Sequence, residues 1–405
     1  MTHRVHELGT ETAFEVLARA KRLEAEGREI LHLEIGEPDF PTPPHIVEAG
    51  IRALSGGATK YAPAAGLFEL REMIAQWVQR RGLAAGPDNV IVTSGAKPML
   101  FYALLALIEP GDEVLIPDPA FPIYESVVRF ASGRPVHYSV DPARPRPVDV
   151  AEIRDRISSK TSVLVLNSPH NPTGVVLDPH TLGALAEIVA QHDLAVLSDE
   201  IYSQLVFDGE HTSIASRPGM AERTVVIDGF SKAYAMAGWR LGYGVLPAIM
   251  ARQVERFVIN TTSCAPPFVQ HAGLAALVGS QQCVRDMCKE YHARGDLLTS
   301  SLNAIDGVSC APPQGAFYAF PKISRLTGLA DTATKQFSDT LLHVLNLTCL
   351  PGTAFGPSGK GHLRFSFATS RTVLQRAVEA FRAAMATTPT HPRSLAGREF
   401  RLSVG

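Results

Sequence analysis

The chain has 405 residues, 38 Lys and Arg against 40 Asp and Glu for a net charge of −2, and a 45% hydrophobic composition. That is enough for a large core and more than one compact unit, and the near-neutral balance offers little to a nucleic-acid backbone or an acidic membrane surface. No apolar run is long enough to span a bilayer, the opening MTHRVHELGTETAFEV is too polar for a secretory leader, and five scattered cysteines fit reduced thiols better than disulfides or zinc, so the protein is expected in the cytoplasm.

Residues 11–30, ETAFEVLARAKRLEAEGREI, predict an amphipathic helix leading into LHLEIGEPDF. From Asn89 to about Leu246, short β-branched runs alternate with longer amphipathic stretches. The runs are NVIVTSG, DEVLIPDP, TSVLVLNSP, LAVLSDE, RTVVIDGFS and RLGYGVL. Each is continuous and bounded by turn residues, as strands buried on both faces are. KPMLFYALLALI and HTLGALAEIVAQHD read as helices between them. The alternation predicts an α/β fold, a mostly parallel sheet sandwiched by helices. Beyond about Leu277 a long helical stretch precedes GVSCAPPQGAFYAFP, and GHLRFSFATS leads into the helix RTVLQRAVEAFRAAMA. These pieces suit a smaller α+β domain formed by both chain ends. The expected division is 1–45 as an arm and part of the small domain, 46–285 as the large domain, 286–388 as the rest of the small domain, and 389–405 as a loose tail.

Polar motifs follow five of the six apolar runs: SGAK (94–97), DPAF (118–121), NSPHNPTG (167–174), SDEIY (198–202) and GFSK (229–232). In a parallel α/β sheet these are the carboxyl ends of the strands, where ligands bind. No G-x-G-x-x-G follows a strand, no G-x-x-x-x-G-K-[ST] exists, and neither H-E-x-x-H nor a paired Cys/His set supports a metal. The segment SKAYAMAGWRLGY poses a sharper question, because Lys232 and Arg240 stand alone in crowded, apolar surroundings. Buried cations are costly unless something negative meets them, so the two either snorkel to solvent or share an anionic ligand.

GEPDF, NSPHNPTG, SDEIY and SKAYAMAGWRLGY, in this order along the chain, together resemble the fold-type I pyridoxal-phosphate aminotransferases of class I/II, near the aspartate aminotransferase-like group. The resemblance runs from about Thr10 to Ala386. It implies pyridoxal 5'-phosphate bound through a Schiff base to Lys232, which then shuttles the proton between substrate and cofactor carbons. It implies that Arg240, the backbone N–H groups of Gly95, Ala96 and Lys97, and Ser231 hold the phosphate. Asp199 is expected against the ring nitrogen, keeping it protonated, with Glu200 beside it structural. Asn171 and Tyr202 are expected at the ring's phenolic oxygen and Phe121 on the ring face. Arg364 is expected to grip the substrate α-carboxylate, helped by Gly36, and Asn171 also faces substrate. Tyr61 matches the tyrosine that reaches the neighbouring subunit's phosphate, which implies a homodimer with shared sites.

Three positions depart from the family pattern. Gly229 stands where many relatives carry serine, Ala237 where threonine is usual, and Phe121 where some have Trp or Tyr. The expected reaction is amino-group exchange between an α-amino acid and a 2-oxo acid. Its rival on the same residues is β- or γ-elimination, replacement or ring closure. A cofactor-sensing regulator fits poorly, because no basic helix-turn-helix precedes the pattern.

Overall fold

The computed structural model describes residues 3–326 and 332–387, so the tail assigned to 389–405 lies outside the described residues. Its centre is a seven-stranded sheet: β1 Val90–Thr93, β2 Glu113–Asp118, β3 Arg134–Ser139, β4 Thr161–Asn167, β5 Ala195–Asp199, β6 Thr224–Gly229 and β7 Gly242–Val245. The spatial order is β1-β7-β6-β5-β4-β2-β3. Pairings among β3, β2, β4, β5 and β6 are parallel, and β7 runs antiparallel to both β6 and β1. The six apolar runs all form strands. The seventh strand, β3, escapes the sequence pattern because it lies at the sheet edge. Its residues RPVHYS are mostly half-buried, and only Tyr138 is fully inside, its hydroxyl donating to Val165 O at 2.8 Å.

Alternate residues of each strand feed opposite layers. Val163 and Val165 meet the helices Ala96–Leu107 and Ala248–Thr261 through Met99, Leu100, Val254 and Val258. Leu164 and Leu166 meet the helix Pro179–Gln191 through Leu182, Leu185 and Val189. Val90, Val92, Tyr243 and Val245 close the β1–β7 end against the helices Phe68–Gln79 and Pro267–Val278. Each such buried aliphatic side chain contributes roughly 1.5–3 kcal/mol.

A second core gathers both chain ends, as the sequence predicts. Leu31 and Leu33 lie with Tyr291 and Leu298 of the helix Gln282–Asn303, Phe337 of Ala333–Leu345 and Phe381 of Arg371–Thr387. These surround a small antiparallel sheet ordered Leu350–Pro351, Leu363–Ser366, Tyr318–Ala319. The helix Gln282–Asn303, 22 residues long, passes through position 285 without a break. Val284 belongs to the β1–β7 cluster and Met287 to the second core. Of the described residues, no helix is long and apolar enough to cross a membrane.

Candidate active site

The five motif-bearing strands β1, β2, β4, β5 and β6 point the same way, so their carboxyl ends share one edge. Residues 230–241 leave β6 there and return as β7, which keeps both Lys232 and Arg240 at that edge. A cavity of about 470 Å³ opens between this edge and the second core. Gly36, Ala96, Lys97, Phe121, Asn171, Asp199, Tyr202, Ser231, Lys232, Arg240 and Arg364 all line it.

Lys232 is enclosed by the cavity walls. Its Nζ donates to Gly36 O and lies 5.9 and 5.8 Å from the ring centroids of Tyr202 and Phe317. Burial lowers its pKa to about 8, against the pull of Glu37 and with help from Arg364, Lys97 and Arg240. A neutral amine, which is the nucleophile, is therefore accessible near physiological pH. Arg240 lies at the cavity rim. It is exposed on the single chain, has φ of 56°, and donates Nη1 to Ala237 O at 3.0 Å. Of the two lone cations only Lys232 is enclosed, because the turn that reverses the chain into β7 carries Arg240 to the rim.

Gly95 has φ of +96°, which favours glycine, and a Cβ there would push the Arg240 guanidinium aside. Its N–H donates to Thr93 O at 2.8 Å. Within the chain that N–H closes the turn. Ala96 and Lys97 open the helix Ala96–Leu107, and their N–H groups have no intrahelical acceptor. With the Arg240 guanidinium against Gly95, they make an anion-binding corner. The Lys97 side chain turns elsewhere, into an ion pair with Glu11, with Nζ 5.8 and 5.5 Å from the Phe14 and Phe121 ring centroids. Ser231 is buried beside this corner.

Asp199, at the end of β5, is 6% exposed. Its Oδ2 accepts the Tyr124 hydroxyl at 2.7 Å and its Oδ1 the Ile201 N–H at 3.2 Å. Burial raises its pKa to about 6, and these two donors oppose the rise. The Tyr202 and Tyr318 hydroxyls share a 2.7 Å hydrogen bond. Asn171 is buried, its N–H held by Asn167 Oδ1 at 2.8 Å.

Arg364 is 3% exposed and stacks between Tyr318 and Phe355, its guanidinium carbon 4.4 and 4.9 Å from their ring centroids. Nη1 donates to Asn171 Oδ1 at 3.2 Å and Nη2 to Glu34 O, while buried Nε has no partner. Arg364 is thus a buried cation between two rings with one donor left unspent, and an unspent guanidinium donor suits an anionic acceptor. Gly36 lacks a Cβ for a local reason, because one would collide with the Tyr318 hydroxyl.

Glu200 faces the opposite side of the sheet, in the structural role expected of it. Its carboxylate contacts Arg81 at 3.1 Å, His211 at 2.9 Å and Ser198 at 2.9 Å. Arg81 also bridges to Asp228 at 3.1 Å. Burial pushes Glu200 up, but His211 and Arg81 outweigh it and hold the carboxyl at about 2.

Tyr61 stands apart from the cavity and is 88% exposed. Sequence reasoning missed Tyr124, Tyr318, Glu11 and Phe355. Tyr124 lies three residues beyond Phe121, and nothing local separates it from an ordinary core tyrosine. Tyr318 lies on the strand that pairs with Leu363–Ser366, which carries Arg364, a pairing that no local sequence pattern displays. Gly229, one of the departures, pairs with Gly242 across β6 and β7, and a Cβ there would lie 3.0 Å from Gly242 Cα. A serine would crowd that backbone.

One cavity thus gathers a lysine whose pKa burial lowers, a buried carboxylate, a helix start beside an arginine, and a buried arginine with an unpartnered Nε. The chain belongs to the family Aminotransferase class I and II, which matches residues 28–381. Within it the similarity is to aspartate-type aminotransferases of fold-type I. An aspartate aminotransferase of Pyrococcus abyssi is 40% identical over 87% of this chain and 90% of its own length. An aromatic-amino-acid aminotransferase of Thermococcus litoralis is 39% identical over 86% and 90%. The structure of Thermus thermophilus aspartate aminotransferase with maleate superposes with a TM-score of 0.87, at 36% identity, covering 95% of this chain and 99% of that one. The protein is a transaminase, and these relatives support transamination over elimination or ring closure.

Proposed function

We propose that the cavity holds pyridoxal 5'-phosphate and that the chain works as a cytoplasmic homodimer, exchanging the amino group of an α-amino acid with a 2-oxo acid. The observation that carries this reading is the convergence of Lys232, Asp199 and Arg364 on one cavity. The residues fit the cofactor. The glycine-cleared helix start at Ala96 and Lys97, with Arg240 and Ser231, suits a phosphate. Asp199 suits a protonated ring nitrogen, Phe121 the ring face, and Asn171 and Tyr202 a phenolic oxygen.

Bound pyridoxal phosphate supplies an aldehyde that condenses with amines and a protonated ring that accepts the electron pair released at the substrate Cα. Lys232 Nζ would be the group that holds the cofactor covalently, and once freed by the substrate amine it would take the proton from the substrate Cα and deliver it to the cofactor carbon that carried the aldehyde. Its depressed pKa suits both tasks. Arg364, with the Gly36 backbone, binds the substrate carboxylate and so orients Cα. Asn171 ties the two halves together, because its Oδ1 steadies Arg364. Tyr61, exposed on one chain, reaches the partner's phosphate. The large domain is residues 46–285, and the small domain combines 1–45 with 286–388.

The test is borohydride trapping and an amino-donor screen. Native protein should carry reduced cofactor on Lys232, and Lys232→Ala should carry none. At least one of aspartate, glutamate, phenylalanine and alanine should release its 2-oxo acid and leave the cofactor as the amine. Cofactor trapped on another lysine would overturn the assignment. Consumption only of substrates with a Cγ leaving group would overturn the reaction.

A further inference from the structure

Tyr124 has no part in the roles assigned above, yet it makes the shortest hydrogen bond to the Asp199 carboxylate. Its side chain is wholly buried, and its hydroxyl donates to Asp199 Oδ2 at 2.7 Å. It lies in the first turn of the helix Ile123–Phe130, just after the DPAF segment that ends β2. Its ring stands edge-on to Phe121, with centroids 5.9 Å apart and planes at 87°. One short stretch of chain therefore carries both the ring-face residue and a donor to the residue assigned to the ring nitrogen.

We propose that Tyr124 is a positioning residue for the cofactor ring: by donating to Asp199 Oδ2 it fixes the carboxylate's orientation and holds it ionised, so that the proton stays on the ring nitrogen. This rests on the reading of Asp199 given above. Asp199 stands in a demanding place. Burial and the nearby carboxylates of Asp228 and Glu200 all favour its neutral form. A neutral Asp199 would be the acid of the pair, and the ring nitrogen would lose its proton and with it the power to accept electrons. Two donors oppose this, the Ile201 N–H at 3.2 Å and the Tyr124 hydroxyl at 2.7 Å. The tyrosine bond is the shorter one, and hydrogen bonds to ionised acceptors are the stronger kind. Burial and the adjacent Asp199 raise the Tyr124 pKa well above 10, so it remains a donor throughout the working range. The bond also settles where Oδ2 points. With each oxygen tied to one protein donor, the carboxylate cannot rotate, and its remaining lone pairs keep a fixed direction.

The experiment reads the ring nitrogen directly. Native, Tyr124→Phe and Asp199→Asn proteins are reconstituted with ¹⁵N-labelled pyridoxal phosphate, and the ring ¹⁵N chemical shift is followed against pH. Tyr124→Phe removes one oxygen atom, and circular dichroism checks that the fold survives. The native ring nitrogen should stay protonated through neutral pH, and Asp199→Asn should lose that proton. Tyr124→Phe should lose it at a pH at least one unit below native, a tenfold weakening. If Tyr124→Phe titrates as native does while Asp199→Asn does not, the proposal fails and the reading of Asp199 stands. If Asp199→Asn also titrates as native does, the reading of Asp199 itself fails and takes the proposal with it.

Discussion

Arg81→Met tests the buried charge cluster behind the site. Arg81 bridges Glu200 and Asp228 at 3.1 Å each, and the two carboxylate side chains are 1% and 2% exposed. Methionine keeps most of the apolar volume and removes the charge. Breaking a buried ion pair by removing one partner costs about 3–5 kcal/mol. The lower end applies here, because Glu200 keeps His211 and Ser213, Asp228 keeps Ser203 and the Gly229 N–H, and the Arg81 side chain is itself 19% exposed. At an unfolding entropy of about 2.1 cal/mol/K per residue, a loss of about 3 kcal/mol in a chain of this length lowers Tm by about 4 °C. The pH dependence has a definite sign. Glu200 is held at about 2, below its ordinary 4.5, so its contribution is present above 4.5 and lost as pH falls towards 2. Without Arg81 that depression shrinks. The deficit of the variant should therefore be full at pH 7 and narrow below about pH 5. Differential scanning calorimetry of cofactor-saturated protein at pH 7 and pH 4 measures both. A Tm within about 1 °C of native at pH 7, or an equal deficit at the two pH values, would refute the reasoning.

Two further expectations concern the site itself. The rate at which apoprotein captures pyridoxal phosphate should rise with pH and level off above about 8, because only the neutral Lys232 amine condenses and burial has lowered its pKa; stopped-flow absorbance that keeps rising past pH 10 would contradict this. A hybrid dimer of one Tyr61→Phe subunit and one Lys232→Ala subunit should keep one fully working site, about half the native turnover. Hybrid activity no higher than half that of the Tyr61→Phe homodimer would dismiss the borrowed tyrosine.

Strands were legible wherever both faces of the sheet are covered. Val163 to Leu166 is apolar at every position because alternate residues enter different layers, and turn residues mark where it ends. β3 was not legible, since an edge strand needs few apolar residues and Arg134, Pro135 and His137 resemble a loop. Motif residues at strand ends were legible as a group, because a parallel sheet gathers its carboxyl ends whatever the loops do. What sequence could not supply is side-chain direction. Lys97 lies in the right helix turn, yet its side chain pairs with Glu11, a contact spanning 86 residues. Gly95 N–H closes its own turn. Tyr124 and Tyr318 gain meaning only from the groups their hydroxyls meet, and no local pattern encodes that. Arg240 reaches the rim because β7 reverses direction, a fact of topology that the spacing of SKAYAMAGWRLGY does not contain.

The second core, drawn from both chain ends, sets a timetable for synthesis. The main sheet can close once Val245 has emerged, since β1 finds its partner in β7. Leu33 must wait longer, because its N–H is met by Thr348 Oγ1, 315 residues away. Until that stretch leaves the ribosome, Leu31 and Leu33 have no core to enter, and pairings so distant in sequence are slow to form. Asp199 and Lys232 can thus take their places on a sheet already built, whereas Arg364 arrives with the last strand and helix. The sheet edge that carries Lys232 can therefore be complete before Arg364 has been made.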